Sequence, residues 1–171
     1  MKQILLVFFF IFLFLIPINC YAESNYVLPY PPGMPGTSFY KIRIVFENLE
    51  KFWYLGNFSQ YYFNLKQADK YLVQAKVLFE YRQYLLALDA LHKSDLYYKN
   101  ASPFLDAAKN EGKNINKQHV NLVNASEKHI EELILIKETL PKTFIWKSEK
   151  SSPIILHLHQ EIDRAIEIRR I

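Results

Sequence analysis

Residues 61–79, YYFNLKQADKYLVQAKVLF, decide the fold of this chain. Their apolar and small residues recur at alternating steps of four and three, at positions Tyr61, Leu65, Ala68, Leu72, Ala75 and Phe79. Such spacing places all six side chains on one face of an α-helix that packs along a partner. We therefore predict a helix here, beginning after Asn57 or Ser59.

A partner helix follows closely in the sequence. After a short break at residues 81–83, the apolar face continues with Tyr84, Ala87, Leu88, Leu91 and Tyr98. Because so short a connection forces neighbouring helices to lie antiparallel, the two are predicted to form a helical hairpin.

The pair Ser102-Pro103 is typical of a helix start, with a capping residue before proline in the first turn. From Leu105 the same spacing runs to Leu140 and ends at Pro141. This pattern predicts one long helix over residues 103–140. Gly112 is a weak point in it, because glycine costs ~1 kcal/mol relative to alanine inside a helix. The sequence leaves continuity at Gly112 open.

Two further helices complete the prediction. One begins at Thr37 or Ser38 and ends at Gly56, and another follows the pair Ser152-Pro153. No segment alternates with period two for long enough to predict a strand. The predicted fold class is therefore all-α, an antiparallel helical hairpin or bundle of about four to five helices including one long helix.

The N-terminus has the features of an export signal. Lys2 precedes an unbroken apolar run from Ile4 to Ile16, and Cys20 and Ala22 stand at the positions of a signal-peptidase site. We expect cleavage after Ala22. A retained membrane anchor is the first alternative, since residues 4–22 contain no charge, and lipid attachment at Cys20 is the second. All three place the body of the protein outside the cytoplasm.

Residues 28–36, LPYPPGMPG, contain four prolines and two glycines. Such a segment runs extended, and we interpret it as a spacer. Its Pro-x-x-Pro spacings also fit a peptide ligand. The predicted organisation is a signal peptide or anchor (1–22), a Pro-rich spacer (23–36), a helical domain (37–141), a loop (142–151) and a C-terminal helix (152–171).

Several short motifs occur in a familiar order. They are PGTSFYKI at residues 35–42, ADKYL at 68–72, Tyr84-x-x-Ala87-x-x-x-Leu91, KHIEEL at 128–133 and Leu140-Pro141. Over residues 28–141 the chain resembles the family called domain of unknown function 5667, whose members are exported or membrane-anchored helical modules. The resemblance implies the fold and the location, and it implies no catalytic residue. Residues 143–171 have no counterpart in it.

Composition argues against several function classes. Cys20 is the only cysteine, so the processed chain has no disulfide, thiolate metal site or cysteine nucleophile. The net charge of +4 is spread along the sequence rather than clustered, and we predict no nucleic-acid partner. Phosphate-loop, Gly-x-Ser-x-Gly and His-Glu-x-x-His motifs are absent. We therefore predict no enzyme activity and no cofactor.

Histidines on the long predicted helix suggest an alternative function. His119 and His129 are ten residues apart, about 15 Å along a helix, so they cannot share one metal ion. His129 and Glu132 are one turn apart, but no second pair of this kind occurs. We predict structural histidines and no metal site. The alternative is a carrier of a small ligand or metal that uses these three residues in the bundle interior.

Tyrosines outside the predicted apolar faces are the candidate interaction surface, since tyrosine is favoured at protein interfaces. They are Tyr54, Tyr62, Tyr71, Tyr81 and Tyr97. The sequence thus favours an exported, non-enzymatic helical module, a protein-interaction or envelope-associated structural domain. Its predicted partner is another envelope protein or a second copy, with membrane contact only through an uncleaved N-terminal segment.

Overall fold

A computed structural model of the protein describes residues 26–30, 42, 45, 49, 50, 52–147 and 152–170. The elements are helices α1 (Asn57–Glu80), α2 (Tyr84–Asn110) and α3 (Asn116–Thr139), strands β1 (Phe144–Trp146) and β2 (Ile154–Leu156), and helix α4 (Leu158–Arg169). Helices dominate, so the predicted fold class is confirmed. The signal segment, and most of the spacer and of the helix predicted before Gly56, lie outside the described residues.

Helices α1 and α2 form the predicted hairpin. The turn between them is closed by backbone hydrogen bonds from Arg82 N to Phe79 O and from Gln83 N to Leu78 O, both 2.9 Å. This pair of bonds is a Schellman motif, which requires a left-handed residue after the helix. Arg82 takes that conformation, with φ of 57°. All six apolar positions predicted on α1 are buried, as are the five on α2.

The helical pattern predicted over residues 103–140 is divided between two helices at Gly112, where the sequence left continuity open, and the predicted helix start at Ser102-Pro103 is wrong. Helix α2 continues through Pro103 to Asn110, and α3 begins only at Asn116. Proline inside a helix costs about 3 kcal/mol, but Ala101, Leu105 and Ala108 are all buried and continue the packed face of α2. The chain turns instead at Gly112, whose φ of 76° suits glycine, in a second Schellman motif.

The C-terminal region also differs from the prediction. The expected loop 142–151 contains β1, and the expected helix 152–171 begins only at Leu158, because Ile154–Leu156 is strand β2. The strands are antiparallel, with Ile145 opposite Ile155. Three-residue strands are too short to show a period-two pattern in the sequence. This β-hairpin is stabilised by tertiary packing, because Trp146 and Leu156 pack against the core.

In the part of the chain that the structure describes, the interior contains two apolar clusters. The first surrounds the α1–α2 turn and takes in the β-hairpin and α4. The second lies at the opposite end, where α1, α2 and α3 meet. Between them, each helix contributes buried polar residues, which we call the polar layer: Asp69, Ser94, Asp95, Ser126, His129 and Arg169.

Candidate binding site

His129 is at the centre of the polar layer and is completely buried. Its Nε2 lies 2.7 Å from Asp69 Oδ1, and its Nδ1 lies 3.0 Å from Nε of Arg169. Because a guanidinium can only donate, Nδ1 must accept, so the ring is neutral with its proton on Nε2 donating to Asp69. Burial lowers the pKa of His129, and the Arg169 charge acts in the same direction, against the hydrogen bond to Asp69.

Arg169, in the last turn of α4, is the most highly connected residue of the layer. Its Nη1 donates to Asp95 Oδ1 at 2.6 Å and to the Ala165 carbonyl at 2.8 Å, and its Nη2 donates to Ser94 Oγ at 2.7 Å. The Ser126 hydroxyl donates to the Arg169 carbonyl. The side chain has no exposed surface. These bonds fix α4 against α2 and α3.

The N-terminal segment joins the same layer through Tyr26. Its hydroxyl donates to Asp69 Oδ2 at 2.7 Å. Burial, followed by the Asp69 carboxylate, raises the pKa of Tyr26, so it remains a donor. Part of the predicted spacer is therefore docked on the bundle. The polar layer thus joins Tyr26, at the start of the described residues, to α1, and Arg169, near their end, to α2.

The residues considered for metal binding are separated. His119 is exposed, whereas both ring nitrogens of His129 are engaged by protein groups. Glu132 instead pairs with Lys76 at 2.7 Å and with Lys128 at 3.3 Å. Among the described residues, no group of three histidine, cysteine or acidic side chains is placed to hold a metal ion.

The five candidate tyrosines do not form one surface. Tyr71 is buried, with 7% exposure, and stacks on Tyr97 at a ring separation of 5.7 Å. The prediction of an exposed Tyr71 is wrong because α1 packs on more than one side, so its buried arc is wider than one apolar stripe. Tyr54 is half-buried and contacts the ring of Phe63 at 5.0 Å.

Tyr62 and Tyr81 are exposed but far apart. Tyr62 lies near the start of α1, where it accepts a hydrogen bond from Gln118. Tyr81 follows the end of α1, and 19 residues of helix separate the two by roughly 28 Å. They belong to different regions of the surface.

A groove beside the tyrosine stack is the strongest candidate site. It has a volume of about 610 Å³ and runs between the start of α1 and the second half of α2. Its apolar lining consists of Phe52, Phe63, Leu96, Tyr97, Pro103 and Phe104. Three amide side chains complete it, from Gln60, Asn64 and Asn100. We call these nine residues the aromatic groove, and none of them is charged.

The groove is extended by exposed apolar side chains at one end. Trp53 and Leu55 follow Phe52 and are 76% and 82% exposed. Glu50 anchors this segment to α1 by pairing with Lys66 at 2.7 Å. On the groove's other wall, Leu96 is 59% exposed. These exposed apolar side chains beside a concave site make this region the candidate interaction surface.

Sequence reasoning missed most of the polar layer, although a signal was present. Ser94 and Asp95 interrupt the buried stripe of α2 between Leu91 and Tyr98, and Arg169 continues the stripe of α4. A polar residue on an otherwise apolar stripe indicates a buried partner, because an unpaired buried polar group is costly. The partners themselves are far away in sequence.

Comparisons with family models, curated proteins and solved structures found no match. The resemblance to domain of unknown function 5667 therefore stays a prediction. Within the described ranges, no helix combines the length and the apolarity that a membrane span requires.

Proposed function

We propose that this protein is an exported, non-enzymatic helical module that binds a protein partner in the cell envelope, either another protein or a second copy of itself, through the aromatic groove. The observation that carries the proposal is the groove itself. Its volume of about 610 Å³ falls in the range of about 300 to 1,000 Å³ seen for ligand sites. Its aromatic side chains and its lack of charge are also typical of the core of protein-binding surfaces.

The scaffold supports this role. A binding site is more precise when rigid elements present it. Most of the groove is formed by α1 and α2, which pack along each other as a helical hairpin. The polar layer joins these two helices, because Ser94 Oγ donates to the Ala68 carbonyl at 2.8 Å in a buried hydrogen bond. The export signal predicted in residues 1–22 would place the module in the envelope.

Photo-crosslinking in the native envelope tests the proposal. A photoreactive phenylalanine analogue replaces Leu96 in the groove or, as the matched control, Tyr81, which is 71% exposed beyond the end of α1. We expect a protein adduct, identified by mass spectrometry, from position 96 and none from position 81. Equal adducts from both positions, or no protein adduct from position 96, would contradict the proposal.

A further inference from the structure

The Pro-rich segment presents exposed side chains at its described start. Tyr26 is bonded to Asp69, and Leu28 packs against the first apolar cluster. The intervening Val27 is 87% exposed and Tyr30 is 93% exposed. Tyr26 and Leu28 thus contact the bundle while Val27 and Tyr30 are exposed, and the Tyr30 ring is accessible from solution.

The chemistry of this segment matches that of the aromatic groove. Proline-rich segments form polyproline II helices, whose carbonyls are unpaired, and they dock in aromatic-lined grooves. In the described part of the chain, no hydrogen bond engages the Asn100 side chain, so its amide can donate to such a carbonyl. Neither the groove lining nor LPYPPGMPG contains a charged residue, so no charge is desolvated on contact.

The segment starts on the side of α1 that faces away from the groove. Gln60 lines the groove and Asp69 holds Tyr26, and nine residues separate them. Nine residues are two and a half helical turns, so the two side chains lie on opposite faces of α1. The segment therefore begins on the face of α1 opposite its own groove, with the Tyr30 ring accessible from solution.

We propose that the aromatic groove binds the Pro-rich segment of a second copy of this chain. The inference rests on the proposed function and names the partner. Because the groove and the segment are different surfaces, the contact is head to tail. Each copy then offers one groove and one segment.

Sedimentation analysis of the exported protein over a wide concentration range tests this. The wild type is expected to self-associate. Leu96→Asp introduces a charge into the groove's apolar lining, and Tyr30→Ser removes the segment's ring. Each change is expected to weaken association about tenfold or more, as for a residue at the centre of an interface. Both residues are largely exposed, so the fold should tolerate the changes. Tyr81→Ser is the matched control and should associate as the wild type does.

Mixing the two defective variants gives the sharpest result. Leu96→Asp keeps an intact segment and Tyr30→Ser keeps an intact groove, so the mixture should regain association that neither shows alone. A synthetic peptide of residues 27–37 should compete with it. If Leu96→Asp unfolds on circular dichroism, Asn100→Lys replaces it in the same design.

Three outcomes would overturn the inference: a wild type that stays monomeric, association that survives both variants, or a mixture that fails to recover. The crosslinking experiment separates this failure from failure of the proposed function. An adduct between position 96 and a different envelope protein would refute self-association while supporting a binding module. An adduct to a second copy would support both.

Discussion

Replacing Arg169 by methionine should destabilise the fold severely. The change keeps most of the side-chain volume but removes the guanidinium, which is completely buried and hydrogen-bonded to Asp95, Ser94 and His129. Asp95 would then be a buried carboxylate without its counter-ion. Removing one member of a buried ion pair costs about 3 to 5 kcal/mol, a large part of the roughly 5 to 15 kcal/mol that stabilises a typical domain.

Urea unfolding of the purified protein, followed by far-ultraviolet circular dichroism, measures this cost. Arg164→Met is the matched control, since Arg164 lies on the same helix with a side chain 66% exposed and 3.9 Å from Glu161. An exposed pair of this kind contributes about 0 to 1 kcal/mol. The two variants should therefore have clearly different midpoints.

A double variant tests the reason for the loss. Asp95→Asn added to Arg169→Met removes the uncompensated charge and should recover about 1 kcal/mol or more, because a neutral buried amide is less costly than an unpaired carboxylate. The reasoning is refuted if Arg169→Met is as stable as Arg164→Met, or if the second change gives no recovery.

Stability should also decline as the pH falls below about 6.5, the ordinary pKa of histidine, because burial keeps the pKa of His129 lower in the folded state. As the pH falls, the unfolded chain therefore takes up a proton before the folded protein does. The contribution of His129 to the free energy of unfolding is fully present above the pKa of the unfolded state. It is lost as the pH falls toward the pKa of the folded state, by at most ~1.4 kcal/mol per pH unit. An unaltered slope of urea midpoint against pH in His129→Gln would contradict this assignment. Leu72→Ala should cost about 2 to 5 kcal/mol in the core, and Leu135→Ala, at a half-exposed position, much less; equal melting temperatures would show that the packing is misassigned. Arg82→Gly should stabilise the protein by up to ~1 kcal/mol, because glycine adopts the left-handed conformation of this residue without strain. Gly112→Ala should destabilise it by ~1 kcal/mol, because alanine is strained in that conformation. Shifts of the opposite sign in the calorimetric melting temperatures would be evidence against both predictions.

Sequence periodicity was sufficient to predict the helical hairpin. The stripe from Tyr61 to Phe79 and the one from Tyr84 to Tyr98 are both buried as expected. Helix formation and the choice of the buried face depend on residues three and four positions apart, so the information is local. The short connection then fixed the antiparallel arrangement.

The candidate site could be predicted only in fragments. Tyr97 lines the groove and Tyr54 packs on Phe63 behind it, but their clustering with the α2 residue Phe104 depends on how the helices cross. Tyr71, although outside the predicted stripe, is covered by this same aromatic packing. Exposure is a property of the assembled surface, and a single helix does not define it.

Tertiary structure alone decided where α2 ends and how the polar layer is paired. The helix passes Pro103 because its next apolar residues find a packed partner, and it stops before Gly112, where the backbone can reverse without strain. Asp69 meets His129 across 60 positions, and Arg169 meets Asp95 across 74. Local sequence specifies which residues turn inward. The folded bundle selects their partners, because a buried charge is tolerated only where another element brings the complementary group within hydrogen-bond distance.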